Sequence, residues 1–193
     1  VMNTVEAIRT RRAVKVYDPS FQLSREEKDE LLQLALLAPS AFNLQHVRFV
    51  EVSDPALRAQ IREVGWNQAQ MTDASLLVVI CAQVDSWDGA PGEVQNFMAG
   101  AIDAYYRDKP QVQRDEAMRS CGLMAQTLML AARAKGLDSC PMDGFDFDAV
   151  GKLINLPDNH VIALMVAVGK RAAEPKPRIG KLPFDEVVIR DRF

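Results

Sequence analysis

The sequence predicts an α+β domain in which helices surround a small central sheet, and three observations carry that expectation. Residues 76–82 and 161–168 are continuous apolar runs rich in β-branched side chains, the pattern of strands buried on both faces. Residues 115–135 read as the longest helix, and the stretch 123–134 is apolar nearly all round, as in a helix covered on most sides. Strands and helices follow one another without a regular βαβ alternation, which argues against a doubly wound parallel sheet. A length of 193 residues, 48% hydrophobic and 25% charged, suits one globular domain over residues 1–193 with no repeat and no dividing linker.

Each element has a local signal. Residues 4–11 form a short opening helix with Thr4 as candidate N-cap, and Asp18-Pro19-Ser20 breaks the chain after it. Ser24 and Glu27 make a capping box, in which each side chain accepts from the other residue's free N–H. It starts a helix that sets Leu31, Leu34, Ala35 and Ala38 on one face and ends before Pro39. A strand over 48–52 precedes Asp54-Pro55, where proline at the first helical position opens the next helix. Residues 67–73 make a helical turn leading to the first buried strand. After a Gly-, Pro- and Asp-rich loop at 85–93, residues 93–107 are amphipathic, with Phe97, Ala101, Ala104 and Tyr105 on one side. Gly136 stops the long helix, a strand over 139–142 runs into Asp143-Gly144, and Asp146 caps a small helix ending at Leu153. The last buried strand ends at Gly169, and residues 174–193 form a Pro- and Lys/Arg-rich arm with too few local partners to fold back by itself. That arm and the apolar long helix predict an intertwined homodimer.

Charge is distributed unevenly. Residues 9–15 and 170–181 hold nine of the 23 basic side chains, Arg9, Arg11, Arg12, Lys15, Lys170, Arg171, Lys176, Arg178 and Lys181, against one of the 26 acids, Glu174. The net charge of -3 therefore divides into +8 in two short segments and -11 elsewhere. A bound polyanion such as a phosphate would hold such cations together; the alternative is two solvated segments, each salt-bridged locally. The acidic balance argues against general nucleic-acid binding. Three cysteines without CxxC spacing fit reduced thiols in the cytoplasm, the apolar runs are too short to span a bilayer, and the first residues lack a secretory pattern.

No GxGxxG, GxxxxGK[ST] or GxSxG occurs. The two histidines, His46 and His160, lack metal-ligand spacing, so no metal site is expected; His46 reads as a surface or supporting residue and His160 as part of a turn. Cys140, with no histidine base, reads as a buried inert thiol. A chain without nucleophile, metal or acid–base pair can still be an enzyme whose chemistry a bound cofactor supplies.

Five segments, in order, resemble the motifs of the FMN-dependent nitroreductase family: TRRAVKVYD at 10–18, APSAFNLQ at 38–45, NQAQMTDAS at 67–75, CPMDGF at 140–145, and GKR at 169–171 with PFDEVV at 183–188. The likeness runs from about residue 4 to 188. It implies a nitroreductase-like fold with a mostly antiparallel sheet and a C-terminal arm exchanged within an intertwined homodimer. By the same resemblance Arg11, Arg12 and Lys15 hold the phosphate and pyrimidine edge of FMN, Ala13 supplies main-chain contacts, and Arg178 and Lys181 grip the phosphate. Asn67 bonds the flavin pyrimidine, with Gln70 near the N1–O2 edge. Pro39, Ser40, Ala41, Phe42 and Asn43 belong to a loop that reaches the partner's flavin. Pro141, Met142, Asp143 and Gly144 lie over the flavin face, with a backbone N–H near N5.

Three departures from the family pattern stand out: Ala13 in place of serine, Gln70 where a lysine often stands, and His46-Val47 in place of Pro-Trp. The implied reaction is ping-pong, with NAD(P)H as reductant, a nitroaromatic or quinone as acceptor, and no side chain acting as general acid or base. Phe42, Trp66, Phe97, Tyr105 and Tyr106 are candidates to line the acceptor pocket. Other readings remain open: a dehalogenase or an enal or semialdehyde reductase on the same fold, a non-catalytic flavin-binding or regulatory protein, and a helical interaction module without cofactor.

Overall fold

The computed structural model describes the backbone of residues 1–89 and 92–193, and the side chains of these apart from residues 92–97. Strands β1 (Val47–Glu51), β2 (Leu76–Gln83), β3 (Asp138–Met142) and β4 (His160–Gly169) form one sheet in the order β1-β2-β4-β3, with every neighbouring pair antiparallel. Around it lie α1 (Thr4–Thr10), α2 (Arg25–Ala35), α3 (Pro55–Glu63), α4 (Gln70–Asp73), α5 (Gly92–Tyr106), α6 (Pro110–Ala134), α7 (Phe147–Leu153) and α8 (Phe184–Val187). A short 3-10 turn, Ala41–Asn43, precedes β1.

β2 is buried along nearly all its length because both faces are covered. Leu76, Val78, Ile80 and Ala82 face α6 (Ala117, Cys121, Met124, Leu128) and α2 (Leu31, Ala35). The alternate residues Leu77, Val79 and Cys81 face Ile61, Met71 and Val150 on the other side. β4 departs from the expectation of full burial: residues 165–169 are buried, but four of residues 160–164 are only half-buried. β3 pairs with residues 165–169 alone, so among the described residues the first half of β4 has no strand on that side.

The capping signals act as read at Ser24–Glu27 and Asp146, and Pro55 opens α3 as expected, with Asp54 accepting from the Ala56 N–H as its N-cap. The cap of α1, however, is Asn3, whose Oδ1 accepts from the Glu6 N–H at 2.9 Å; Thr4 is already helical. α6 begins at Pro110 rather than 115, with proline at its first position. α5 buries Ile102 and Tyr106 against Leu44, whereas Ala101, Ala104 and Tyr105 are exposed; the buried face is the one carrying the larger side chains. The Phe97 side chain lies outside the described residues.

The C-terminal segment does fold back at first. The Asp18 N–H donates to the Lys170 carbonyl and the Ala172 N–H to the Val16 carbonyl, both at 2.9 Å, with Tyr17 and Arg171 bridged between them. The other side of this extended N-terminal segment joins β3, where Val14 N–H donates to Ser139 O at 3.1 Å. Main-chain bonding of this kind needs no particular side chains, so composition did not reveal it. Farther along, Ile179, Leu182, Phe184, Val187 and Phe193 are exposed.

Candidate functional site

The two basic segments meet in a seam beside β3, and their side chains divide into two groups. Arg12 Nη2 donates to the Lys176 carbonyl, and Arg178 Nη2 donates to the carbonyls of Arg9 (2.9 Å) and Arg11 (2.7 Å), so these two knit one segment to the other. Arg171 is bound to the buried carboxylate of Asp138: its N–H meets Oδ2 at 3.1 Å, and Nε and Nη2 meet Oδ1 at 3.0 and 2.6 Å. Its Nη1 reaches Glu174 at 2.9 Å. Arg12, Arg178 and Arg171 thus have structural partners.

Arg11 differs. Its Nη1 is buried and has no hydrogen-bond partner among the described residues, and the buried Tyr17 Oη and Ser139 Oγ on the same seam also lack one. Burial raises the Cys140 thiol pKa, a bond from Gln70 opposes the shift, and the positive fields of Lys15 and Arg11 oppose it further. The thiol therefore stays protonated, and Arg11 and Lys15 lie close enough to act on one point of β3. Ala13 stands between them, bridged in parallel fashion to Ser139. Lys181 is exposed and makes no hydrogen bond or ion pair among the described residues.

The turn between α3 and α4 is clamped onto the end of β3. Gln68 Nε2 donates to the carbonyls of Gly144 (2.9 Å) and Gly65 (3.2 Å). Gln70, almost wholly buried, donates from Nε2 to Gln68 Oε1 at 3.2 Å and toward Cys140 Sγ at 3.7 Å. Asn67 does not cap a helix; its backbone is left-handed (φ 52°) and its Oδ1 accepts from Arg62 Nε at 2.8 Å. The close approach that Gly144 permits is to Trp66, because a Cβ there would lie 2.7 Å from the indole. Met142 is buried in the core, which leaves only its backbone to face a ligand; Asp143 is exposed and Pro141 half-buried.

Pro39, Ser40, Ala41, Phe42 and Asn43 lie elsewhere. They lead into β1, the edge strand opposite β3, and three strand spacings put the two edges roughly 14 Å apart. Ser40 Oγ accepts from the Gln45 N–H at 3.0 Å, and Phe42 packs edge-on against Tyr105 and Tyr106. Of the aromatic candidates, Phe42, Tyr105 and Tyr106 come together, joined by Trp87, which the sequence reading passed over. Tyr106 is completely buried and donates to Glu116 Oε1 at 2.9 Å, so its ring is core rather than pocket wall. Trp66 stands apart, 79% exposed. His46 is buried, its Nδ1 3.4 Å from Ser120 Oγ, which corrects its reading as a surface residue; burial lowers its pKa.

Arg62 and Gln68, which hold the turn, carried no sequence signal, since their partners are set by the turn's left-handed backbone. A cation with an unbonded buried nitrogen, two further unpartnered polar atoms and an adjacent lysine fit a ligand that brings anionic acceptors.

Residues 8–170 match the family model described as "Nitroreductase family". Protein DrgA of Synechocystis sp. is 50% identical over 181 residues, covering 90% of this chain and 86% of DrgA. A Bacillus subtilis protein, YodC, provisionally named an NAD(P)H nitroreductase, is 32% identical over 198 residues, covering 96% and 97%. A solved structure from Staphylococcus epidermidis, provisionally named an NAD(P)H:FMN oxidoreductase, superposes with a TM-score of 0.90 at 28% identity, covering 98% of this chain and 96% of that one. With the family model spanning most of its length, the chain belongs to the nitroreductase family and is an oxidoreductase enzyme.

Proposed function

We propose that the chain binds FMN along the β3 seam and uses NAD(P)H to reduce small acceptors of the nitroaromatic or quinone type in a ping-pong cycle. The observation that carries this reading is Arg11 Nη1, a buried guanidinium nitrogen with no partner among the described residues, in a seam built from both cationic segments. A guanidinium presents a fork of donors suited to phosphate, and leaving such a donor buried and unpaired costs about 1–3 kcal/mol.

Arg11 and Lys15 would hold the phosphate and pyrimidine edge, with main-chain groups at Ala13 and at Pro141, Asp143 and Gly144 lining the rest. Asn67 and Gln70 would meet the pyrimidine. Bound FMN would supply the electron transfer that no side chain here can perform. The chain's own part is orientation, exclusion of water and a neutral Gln70 where a cation could have stood. Because the loop at 39–43 lies at the far edge of the sheet, it can serve the same cofactor only from a second copy, so the working unit is a homodimer. Exposed Leu123 on α6 and the apolar residues of the arm are the surfaces such a dimer would cover. No helix among the described residues is long and apolar enough to cross a membrane. Three free thiols fit a reducing, cytoplasmic setting.

Purified protein should be yellow, bleach anaerobically with NADH or NADPH, and regain colour with menadione or nitrofurazone. A colourless protein that takes up no FMN would overturn the proposal. A monomeric mass by light scattering would overturn the dimer.

A further inference from the structure

We propose that Arg62 is a positioning residue that makes Asn67 a hydrogen-bond donor, and only a donor, toward the cofactor's pyrimidine ring; this rests on the FMN reading above. Arg62 stands in the last turn of α3, and its carbonyl accepts from both the Gly65 and Asn67 N–H groups at 3.1 Å. Those bonds close a turn in which Trp66 and Asn67 are both left-handed, with φ of 56° and 52°. The Arg62 side chain then spans the same turn, with Nε 2.8 Å from Asn67 Oδ1 and Nη1 2.9 Å from Thr72 Oγ1.

A carboxamide has an oxygen face and a nitrogen face, and which way it points is decided by its partners. A guanidinium has five N–H groups and cannot accept. The Asn67 amide must therefore turn its oxygen to Arg62, which leaves the Nδ2 hydrogens facing outward, where they meet no acceptor among the described residues. Arg62 is tethered at Thr72 and cannot swing to follow a flipped amide. The pyrimidine ring of oxidised FMN offers acceptors at O2, O4 and N1 and one N–H at N3. A fixed donor is excluded from N3–H and selects an acceptor, and with Gln70 proposed at the N1–O2 edge the carbonyl oxygens are the ones to test; an untethered asparagine could read either kind of group.

The test uses apoprotein reconstituted with FMN or with analogues carrying sulfur in place of O2 or of O4, sulfur being the poorer acceptor. Equilibrium dialysis should show the unaltered chain binding at least one of the two analogues about tenfold more weakly than FMN. Asn67→Asp keeps an oxygen for Arg62 and tolerates the left-handed backbone, but has no N–H to offer. It should bind FMN about tenfold more weakly and no longer distinguish the analogues. Arg62→Ala should also lose the distinction, because its amide is free to flip. A merely structural role for Arg62 would weaken FMN and both analogues alike and leave their ratio unchanged, which would overturn the proposal. So would Asn67→Asp binding FMN as tightly as the unaltered chain, a readout that stands if Arg62→Ala does not fold. An unaltered chain that binds no FMN would instead overturn the functional reading beneath it.

Discussion

At the β3 edge, Arg11 Nη1, Tyr17 Oη and Ser139 Oγ are buried without partners among the described residues, whereas in the corner before β1 the Tyr106 hydroxyl donates to Glu116 and His46 meets Ser120. Trp87 Nε1 in the corner also lacks a partner among the described residues. Both regions bury polar groups beside the same sheet, yet the β3 edge leaves three of them unbonded among the described residues, a difference that the proposed FMN site would account for. The same contrast recurs within the seam. Arg171 is bonded on several sides by Asp138 and Glu174, while Arg11 keeps a donor unbonded. Within the seam, hydrogen bonding thus distinguishes Arg171 from Arg11 where charge does not; Arg58, whose Nη2 is also unbonded among the described residues while Nε and Nη1 donate to the carbonyls of Val52, Thr72 and Ala74, shows that one such nitrogen does not by itself mark a binding arginine.

The contrast predicts opposite outcomes for the two ends of the seam. Asp138→Ala should cost the largest amount, about 3 kcal/mol of apoprotein stability in urea unfolding, because it strands Arg171 and removes the bond to its N–H. A loss within about 0.5 kcal/mol would mean that the ion pair is incidental and that Arg171 belongs with Arg11 as a binding residue.

Arg11→Ala should do the reverse. It removes a donor that none of the described residues uses, so urea unfolding of the apoprotein should change little, while FMN affinity falls about 30-fold, equivalent to about 2 kcal/mol. Unchanged FMN retention would break the comparison at its centre and move the phosphate elsewhere.

In the corner, Tyr106→Phe leaves one oxygen of Glu116 without its tyrosine partner, though Arg119 still bonds the other. Apoprotein stability should drop by about 1–2 kcal/mol, with FMN affinity unaffected. An FMN effect comparable to that of Arg11→Ala would show that the 39–43 loop, through Phe42 on Tyr106, depends on this hydroxyl to meet the partner's cofactor.

How much of this was legible follows from the range of each interaction. The caps at Ser24 and Asp146 involve residues three apart, and β2 declares its burial by composition, so these were read correctly; the half-buried start of β4 was not, because only the short reach of β3 leaves it uncovered. The α5 face was misread because Tyr105 and Tyr106 are adjacent aromatics, and only packing against Leu44 decides which turns inward. Arg171 and Asp138 lie 33 residues apart and carry no local signal, so the basic segment looked less neutralised than it is. Arg11 and Arg12 are neighbours in a segment that turns extended at Arg11, where successive side chains point to opposite sides. Charge located the segment; it could not say that Arg12 would meet Lys176 while Arg11 kept a donor unbonded.

The gentlest probe of the completed corner is pH. Burial lowers the pKa of His46, with the Arg48 charge acting the same way and Glu116 opposing; His160 is lowered by burial and Arg48 against Asp85. A histidine whose folded pKa lies below its unfolded value near 6.5 binds fewer protons folded than unfolded in the interval between them. Stability is thus complete above about pH 6.5 and falls as pH drops below it. These are the chain's two histidines, so unfolding midpoints followed from pH 8 to pH 5 should hold level and then decline. His46→Gln should flatten that decline more than His160→Gln, since His46 is fully buried and His160 only half-buried. A decline unchanged by His46→Gln would mean that this histidine charges without penalty, and the corner would then be no better completed than the β3 edge.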